Sequence, residues 1–364
     1  MGIQKLLEMS HRYGADPAYV LAGGGNTSYK DGGVMWVKGS GATLATMGEA
    51  QFVQMDVAKL TGMLAKGYPA EDGAREREAL ADMLAARLPG EEEKRPSVEA
   101  ILHALFPYRY VLHTHPALVN GLTCGRDGEF ACQRLFGESV VWIPLTKPGY
   151  ILAKVCKEAF DAARRATGVF PKVALMQNHG LIVAADSVGE IDARMAEIMA
   201  VLQAQVANEP DFSPIEWDVN TADILASELA GAMFCTNAQV LAFVKDAEAM
   251  APLMAPFTPD HIVYCKHVPL FAKPGDDLPA ALEAYCNKHG FAPKIVAFEG
   301  LGFFALGKSE QEAKTARLLF LDAMKVAVYA QSFGGCLPLP DDFTQFILHW
   351  EAESYRQKVA QPEK

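Results

Sequence analysis

Apolar and polar positions along this chain switch between a helical period and short extended runs. Residues 3–13 place apolar side chains at helical spacing and predict a short amphipathic helix. A glycine-rich stretch follows, Ala22-Gly23-Gly24-Gly25-Asn26-Thr27-Ser28. Next comes a short strand, Val34-Met35-Trp36-Val37, leading into Lys38-Gly39-Ser40-Gly41. Helical patterns cover about 49–66 and 74–88, and Glu91-Glu92-Glu93-Lys94-Arg95 reads as a solvated loop. Pro96-Ser97 opens a helix from Val98 to about Phe106, with Ser97 as its N-cap. Tyr110-Val111-Leu112-His113-Thr114-His115-Pro116 reads as a buried strand stopped by proline. A long helix near 151–166 is followed by a strand pair hinged at His179-Gly180. The capping box Ser187-x-x-Glu190 starts another long helix to about 207.

Asn208-Glu209-Pro210-Asp211-Phe212-Ser213-Pro214 has linker composition, which divides the chain into 1–208 and 215–364. Beyond it the pattern recurs. Pro144-Leu145-Thr146-Lys147-Pro148-Gly149 has a counterpart in Pro269-Leu270-Phe271-Ala272-Lys273-Pro274-Gly275, and Pro171-Lys172-Val173 in Pro293-Lys294-Ile295. Gly180 matches Gly302, and the capping box returns as Ser309-x-x-Glu312. The offset of 122 residues between these glycines puts Leu301 at the place of His179. It puts Cys235 and Asn237 at the places of His113 and His115. Residues 215–364 are therefore expected to be a degenerate second copy that lacks both the histidines and the glycine loops.

The 364 residues are 50% hydrophobic and 21% charged, enough apolar content for one large core or two ordinary ones. A net charge of -11 argues against nucleic acid or an anionic membrane as partner, since both need a basic surface. No apolar stretch is long enough to span a bilayer, and the N-terminus matches neither a signal peptide nor a myristoylation signal, so a cytoplasmic location is expected. The seven cysteines are scattered without a Cys-x-x-Cys pair and read as reduced thiols.

The densest chemistry lies in three histidines. Residues i and i+2 of a strand share a face, so His113 and His115 can reach one ion, and His179 in Gln177-Asn178-His179-Gly180 can supply a third nitrogen. Three protein nitrogens leave a position open for substrate, as in a catalytic zinc site. Glu99 is placed in the first turn of the preceding helix, where the helix N-terminus favours a carboxylate, and it is the candidate proton-transfer base. The glycine loops read as backbone anion nests, with Asn26, Ser28, Ser40 and Ser97 as added donors. Neither loop has the spacing of a nucleotide-binding fingerprint. His103 falls one turn beyond Glu99, and core or surface roles are expected for it and for the other histidines. Lys147 is expected at the surface.

Taken together, Gly24-Gly25-Asn26-Thr27-Ser28, Gly39-Ser40-Gly41, Pro96-Ser97-Val98-Glu99, His113-Thr114-His115-Pro116 and Asn178-His179-Gly180 resemble the class II aldolase/adducin family, in its order, over residues 20–205. Pro259-Asp260-His261-Ile262-Val263-Tyr264, Phe298-Glu299-Gly300-Leu301-Gly302 and Trp350-Glu351-x-Glu353-x-Tyr355-Arg356 resemble the second segment of bacterial bifunctional rhamnulose-1-phosphate aldolase/dehydrogenase proteins. The dehydrogenase of that group has no counterpart in these 364 residues. The resemblance implies an α/β fold, a three-layer α/β/α class II aldolase-like sandwich. It implies a divalent metal, usually zinc, on His113, His115 and His179, with Glu99 as acid/base. It implies phosphate held by Gly25, Asn26, Ser40, Gly41 and Ser97. The duplicated second half suggests a homo-oligomer in which it packs near a neighbour's site. Family aldolases often carry a second serine where this chain has Val98, so one hydroxyl is missing from the phosphate set.

The activity so implied is that of a metal-dependent aldolase, a lyase of carbohydrate metabolism. It would cleave a ketose phosphate to a glycerone-phosphate-like fragment and a small aldehyde through a metal-stabilised ene-diolate, with no Schiff-base lysine. The same site supports 4-epimerisation of a pentulose phosphate, dehydration of a thio-sugar phosphate, or decarboxylation of a 3-oxo sugar acid. Glu99 favours the aldolase over the epimerases, which carry Asp there. An adducin-like interaction module is the non-catalytic alternative, and such modules lack the three histidines.

Overall fold

The computed structural model describes residues 2–229 and 231–350. The chain divides into two compact units. One is built from the residues up to Val119 with Gly128–Gln205, the other from Asn120–Asp127 with Val206–His349.

The strands of the first unit are β1 (Asn26–Asp31), β2 (Val34–Lys38), β3 (Phe52–Asp56), β4 (Tyr110–Thr114), β5 (Val141–Ile143), β6 (Val173–Met176) and β7 (Gly180–Ala185). They form one sheet in the order β3-β2-β1-β4-β7-β6-β5, antiparallel throughout except for β5 with β6. Its helices are α1 (Gly2–Ala15), α2 (Val57–Gly62), α3 (Asp72–Ala85), α4 (Ala100–Leu105), α5 (Ala117–Thr123, which runs on into the second unit), α6 (Gly128–Phe136), α7 (Tyr150–Thr167) and α8 (Val188–Gln203). One sheet face packs against α2, α3, α4 and α7 through Met35, Val53, Val111, Met176 and Ile182, with Ile101, Leu152 and Phe160 opposite. The other face is covered by α1 and α8, which completes three layers. Burial of β4 on both faces explains its continuous apolar run. Ser187 accepts a hydrogen bond from the Glu190 amide and so fixes the start of α8.

Several elements differ from the sequence reading. The helix expected over 49–66 is split, because Phe52, Val53 and Met55 are buried in strand β3 beside β2, and Asp56 then caps α2. Asn26–Asp31 is a strand although its residues are polar. Ser97 is not the cap of α4. Glu99 occupies the N-cap position, and Ser97 instead accepts the Glu99 amide on its own hydroxyl at 3.3 Å. The charged loop is only partly solvated, since Glu91 is buried against Gln54 and Lys94.

The second unit contains α9 (Val219–Glu228), β8 (Met233–Cys235), α10 (Ala238–Val244), α11 (Ala247–Met250), α12 (Pro259–Cys265), β9 (Leu270–Ala272), α13 (Leu278–His289), β10 (Ile295–Phe298), β11 (Gly302–Ala305), α14 (Glu310–Ala330) and α15 (Asp341–His349). Its sheet order, β8-β11-β10-β9, repeats β4-β7-β6-β5 in sequence and in the sense of every pairing. Met176 faces Gly180 as Phe298 faces Gly302. Ser309 caps α14 as Ser187 caps α8, and the pair Lys294–Glu312 repeats Lys172–Glu190. This is the degenerate second copy, and β1–β3 with their glycine loops have no counterpart in its sheet.

The register corrects one alignment. His113 faces Ile182, whereas Phe234 faces Phe304, so β8 is offset by one residue less than β11. Phe234 and Thr236 therefore stand at the places of His113 and His115, not Cys235 and Asn237. Asn237 instead caps α10. Of Trp350–Arg356 only Trp350 lies within the described residues.

Candidate active site

The end of β4 and the β6–β7 hairpin bring the three histidines together. His113 is the fourth residue of β4, His115 lies one residue past its end, and His179 closes the hairpin turn. In that turn Asn178 adopts φ 54, a left-handed conformation that asparagine tolerates. The Gln177 amide is held by Ile143 O, and Gln177 Oε1 accepts from the Leu145 amide at 3.0 Å. Two glycines make room. A Cβ on Gly180 would lie 2.5 Å from Thr114 O and 2.7 Å from the His115 ring, and one on Gly25, at φ 64, would lie 2.8 Å from His113 O.

The ring centroids of His113 lie 4.6 Å from His115 and 5.0 Å from His179. One ring nitrogen from each residue falls within 4.8 Å of the others, and the Nε2 atoms of His113 and His115 are 2.8 Å apart. His113 Nδ1 lies 2.9 Å from Leu181 O, so the proton is on Nδ1 and the lone pair of Nε2 points into the cluster. Burial pushes the pKa of His113 down to about 3, which leaves the ring neutral. Nitrogens bound to one zinc at ~2.0–2.1 Å in tetrahedral geometry stand roughly 3.4 Å apart, within the span seen here. Three imidazoles beside a carboxylate form a donor set that fits a divalent cation.

Glu99 is that carboxylate. It is 7% exposed, with Oε1 3.2 Å from His179 Nε2 and Oε2 3.4 Å from His113 Nε2. Asn26 Nδ2 donates to Oε2 at 2.5 Å. Burial opposes the charge, yet the hydrogen bonds to His179 and Asn26 hold the Glu99 carboxyl below the usual carboxylate range.

The loops expected to take an anion also converge. Ser97 N donates to Lys38 O, Gly39 pairs with Pro96, and Lys38 Nζ donates to Gly23 O and Gly25 O at 3.1 Å each. Their donors are partly engaged already. The Ser40 amide is bound to Arg95 O, Asn26 reaches Glu99, and Ser28 Oγ pairs with His103 Nδ1 at 2.8 Å. Gly41 has φ 84. Sequence reasoning passed over Lys38, whose sign was a lysine ending a strand with buried neighbours. Lys147, expected at the surface, pairs with Asp72 at 2.6 Å. In the second unit His261 pairs with Asp322 at 3.1 Å and both are buried. All seven cysteines are free. No helix among the described residues is long and apolar enough to cross a membrane.

Residues 4–206 match the Class II Aldolase and Adducin N-terminal domain, and the chain belongs to that family. Class II aldolases use a divalent metal, and the three clustered histidines can hold one. The chain is 25% identical over 418 residues to the uncharacterized oxidoreductase YuxG of Bacillus subtilis, an alignment that covers 100% of this chain and 59% of that protein. It is similar to the N-terminal class II aldolase domain of a conserved Thermoplasma acidophilum protein (26% identity, 56% of this chain and 92% of that one, TM-score 0.46). It is also similar to L-fuculose-1-phosphate aldolase of Thermus thermophilus (15% identity, 55% and 90%, TM-score 0.36).

Proposed function

We propose that this protein is a divalent-metal-dependent lyase of the aldolase type. It cleaves a ketose phosphate into a glycerone-phosphate-like fragment and a small aldehyde. The observation that carries the reading is the placement of the Glu99 carboxylate 3.2 Å and 3.4 Å from two imidazoles of the three-histidine set. His113, His115 and His179 would hold a divalent ion, which would supply Lewis-acid polarisation of the substrate.

The remaining chemistry belongs to the chain. As the carbon–carbon bond breaks, the hydroxyl on the carbon that becomes the aldehyde loses its proton and the freed carbon gains one. Glu99, ionised at neutral pH, takes the first proton and delivers it to the freed carbon. Asn26 orients that carboxylate, and the burial of His113 and Glu99 excludes bulk water. Gly25, Asn26, Ser40, Gly41 and Ser97 hold the anionic end of the substrate, beside the ammonium of Lys38. The reading includes a homo-oligomer, which a monomeric sedimentation profile rejects.

A second reading at the same site is decarboxylation of a 3-oxo sugar acid. It is favoured by Val98, which offers no hydroxyl, and by the Ser40 amide, which is committed to Arg95 O. One screen separates the two. Metal-loaded protein is offered ketose 1-phosphates, rhamnulose 1-phosphate first on the resemblance of its second segment, together with 3-oxo sugar acids. Aldehyde release supports the aldolase, carbon dioxide release replaces it with the decarboxylase, and neither product rejects both.

A further inference from the structure

We infer that a polar ladder on one face of β1 fixes the reach of Glu99, with His103 as its central positioning residue. The inference rests on the reading of Glu99 as the proton-transfer group.

Alternate residues of a strand share a face, so Asn26, Ser28 and Lys30 project together from β1. Each meets α4 or its cap. Asn26 Nδ2 donates to Glu99 Oε2 at 2.5 Å, Ser28 Oγ lies 2.8 Å from His103 Nδ1, and Lys30 Nζ donates to His103 O at 2.6 Å. Asn26 is also the residue facing His113 in the register of β1 with β4. The ladder therefore starts opposite a metal-site histidine and meets α4 at its cap and at His103.

Such a helix needs this help. At six residues α4 is too short to be stable by itself. Ile101, Leu102 and Ala104 bury its apolar side in the core, but apolar contact is non-directional and sets depth rather than rotation. Directed hydrogen bonds set the rotation. Glu99 and His103 are four residues apart on one helical face, and the His103 amide donates to Glu99 O at 3.0 Å. A turn of α4 that moves His103 thus also moves the carboxylate. Ser28 and His103 are both fully buried, so separating them would strand a polar group away from water. Burial also keeps the His103 ring neutral, with its pKa pushed down to about 3. His103 touches no reacting atom in this account, and its effect passes through Glu99.

Crystal structures of His103→Phe and His103→Asn, with turnover on the metal-loaded proteins, test the ladder. Phe keeps the ring volume and loses the hydrogen bond to Ser28, whereas Asn can restore that bond. With Phe the Glu99 carboxylate should leave its contacts with His113 and His179. kcat should fall by about 10- to 100-fold, with KM within about twofold and metal content unchanged. Asn should restore both position and rate. A carboxylate unmoved in the Phe variant overturns the ladder, as does equal impairment of the two variants. If the Phe variant does not fold, Ser28→Ala carries the test, and an unmoved carboxylate there overturns it as well. Should no form turn over any sugar, the proposed function fails, while the position of Glu99 still decides the ladder.

Discussion

Gly180 lies so close to His115 that a Cβ atom there would come within 2.7 Å of the ring and within 2.5 Å of Thr114 O. One of these neighbours is backbone of the adjoining strand and cannot step aside. The first residue of β7 is therefore coupled directly to the geometry of the metal site.

Gly180→Ala should cost about 1–3 kcal/mol of stability, the usual range for overpacking a filled site. It should also weaken metal binding, because the His115 ring must swing away. Denaturant midpoints and metal titration check both. Unchanged metal affinity would mean that the ring is not held where its coordination depends on it.

Glu99→Gln keeps the shape and the Asn26 contact but removes the base. Bound metal should remain, and kcat should fall by about 10²–10⁴-fold, the range for loss of a general acid–base group. Full activity would remove Glu99 from the mechanism.

Val98→Ser supplies the hydroxyl missing beside Ser97. If the anion held there is a phosphate, KM for a ketose phosphate should fall about tenfold, as one added hydrogen bond to a charged group allows. A KM unchanged for phosphates but lowered for a sugar acid would favour the decarboxylase.

Burial holds the pKa of His103 at about 3 in the folded chain, against an ordinary imidazole value of 6.5. Between these values the unfolded chain binds a proton that the folded one does not. Stability therefore falls as pH drops through that window. Denaturant unfolding followed from pH 7 to pH 4 should show a shallower acid-side loss in His103→Asn, by up to about one proton. Identical slopes would mean that His103 is not held neutral.

What the sequence revealed followed the strength of the local signal. The apolar run of β4, the proline after it and the serine N-caps at Ser187 and Ser309 each lie where they were read, although the Glu190 and Glu312 side chains pair with Lys172 and Lys294 instead of closing capping boxes. The strand order of the second unit was legible only as a weak repeat, and its one-residue slip at Phe234 left no mark in composition. Phe52–Asp56 was hidden because its apolar residues fit a helical period as well as a strand. Asn26–Asp31 was hidden because its polar face is buried against α4 rather than exposed to water. The same burial concealed the bond of Asn26 to Glu99 and the pairing of Ser28 with His103, partners that only tertiary packing supplies. The linker lies near the division of the two units, but Asn120–Asp127 belongs with the second one. There Gly125 pairs with Cys336 and the Leu337 amide donates to Cys124 O, contacts that span too much sequence to be read locally.

The most direct test is the metal content of the purified protein and its variants after exposure to a divalent cation and removal of excess. Close to one ion per chain is predicted for the wild-type protein and for Glu99→Gln, with loss from His113→Ala and from His179→Ala. A wild-type protein that binds no ion, or histidine variants that keep it, would contradict the account.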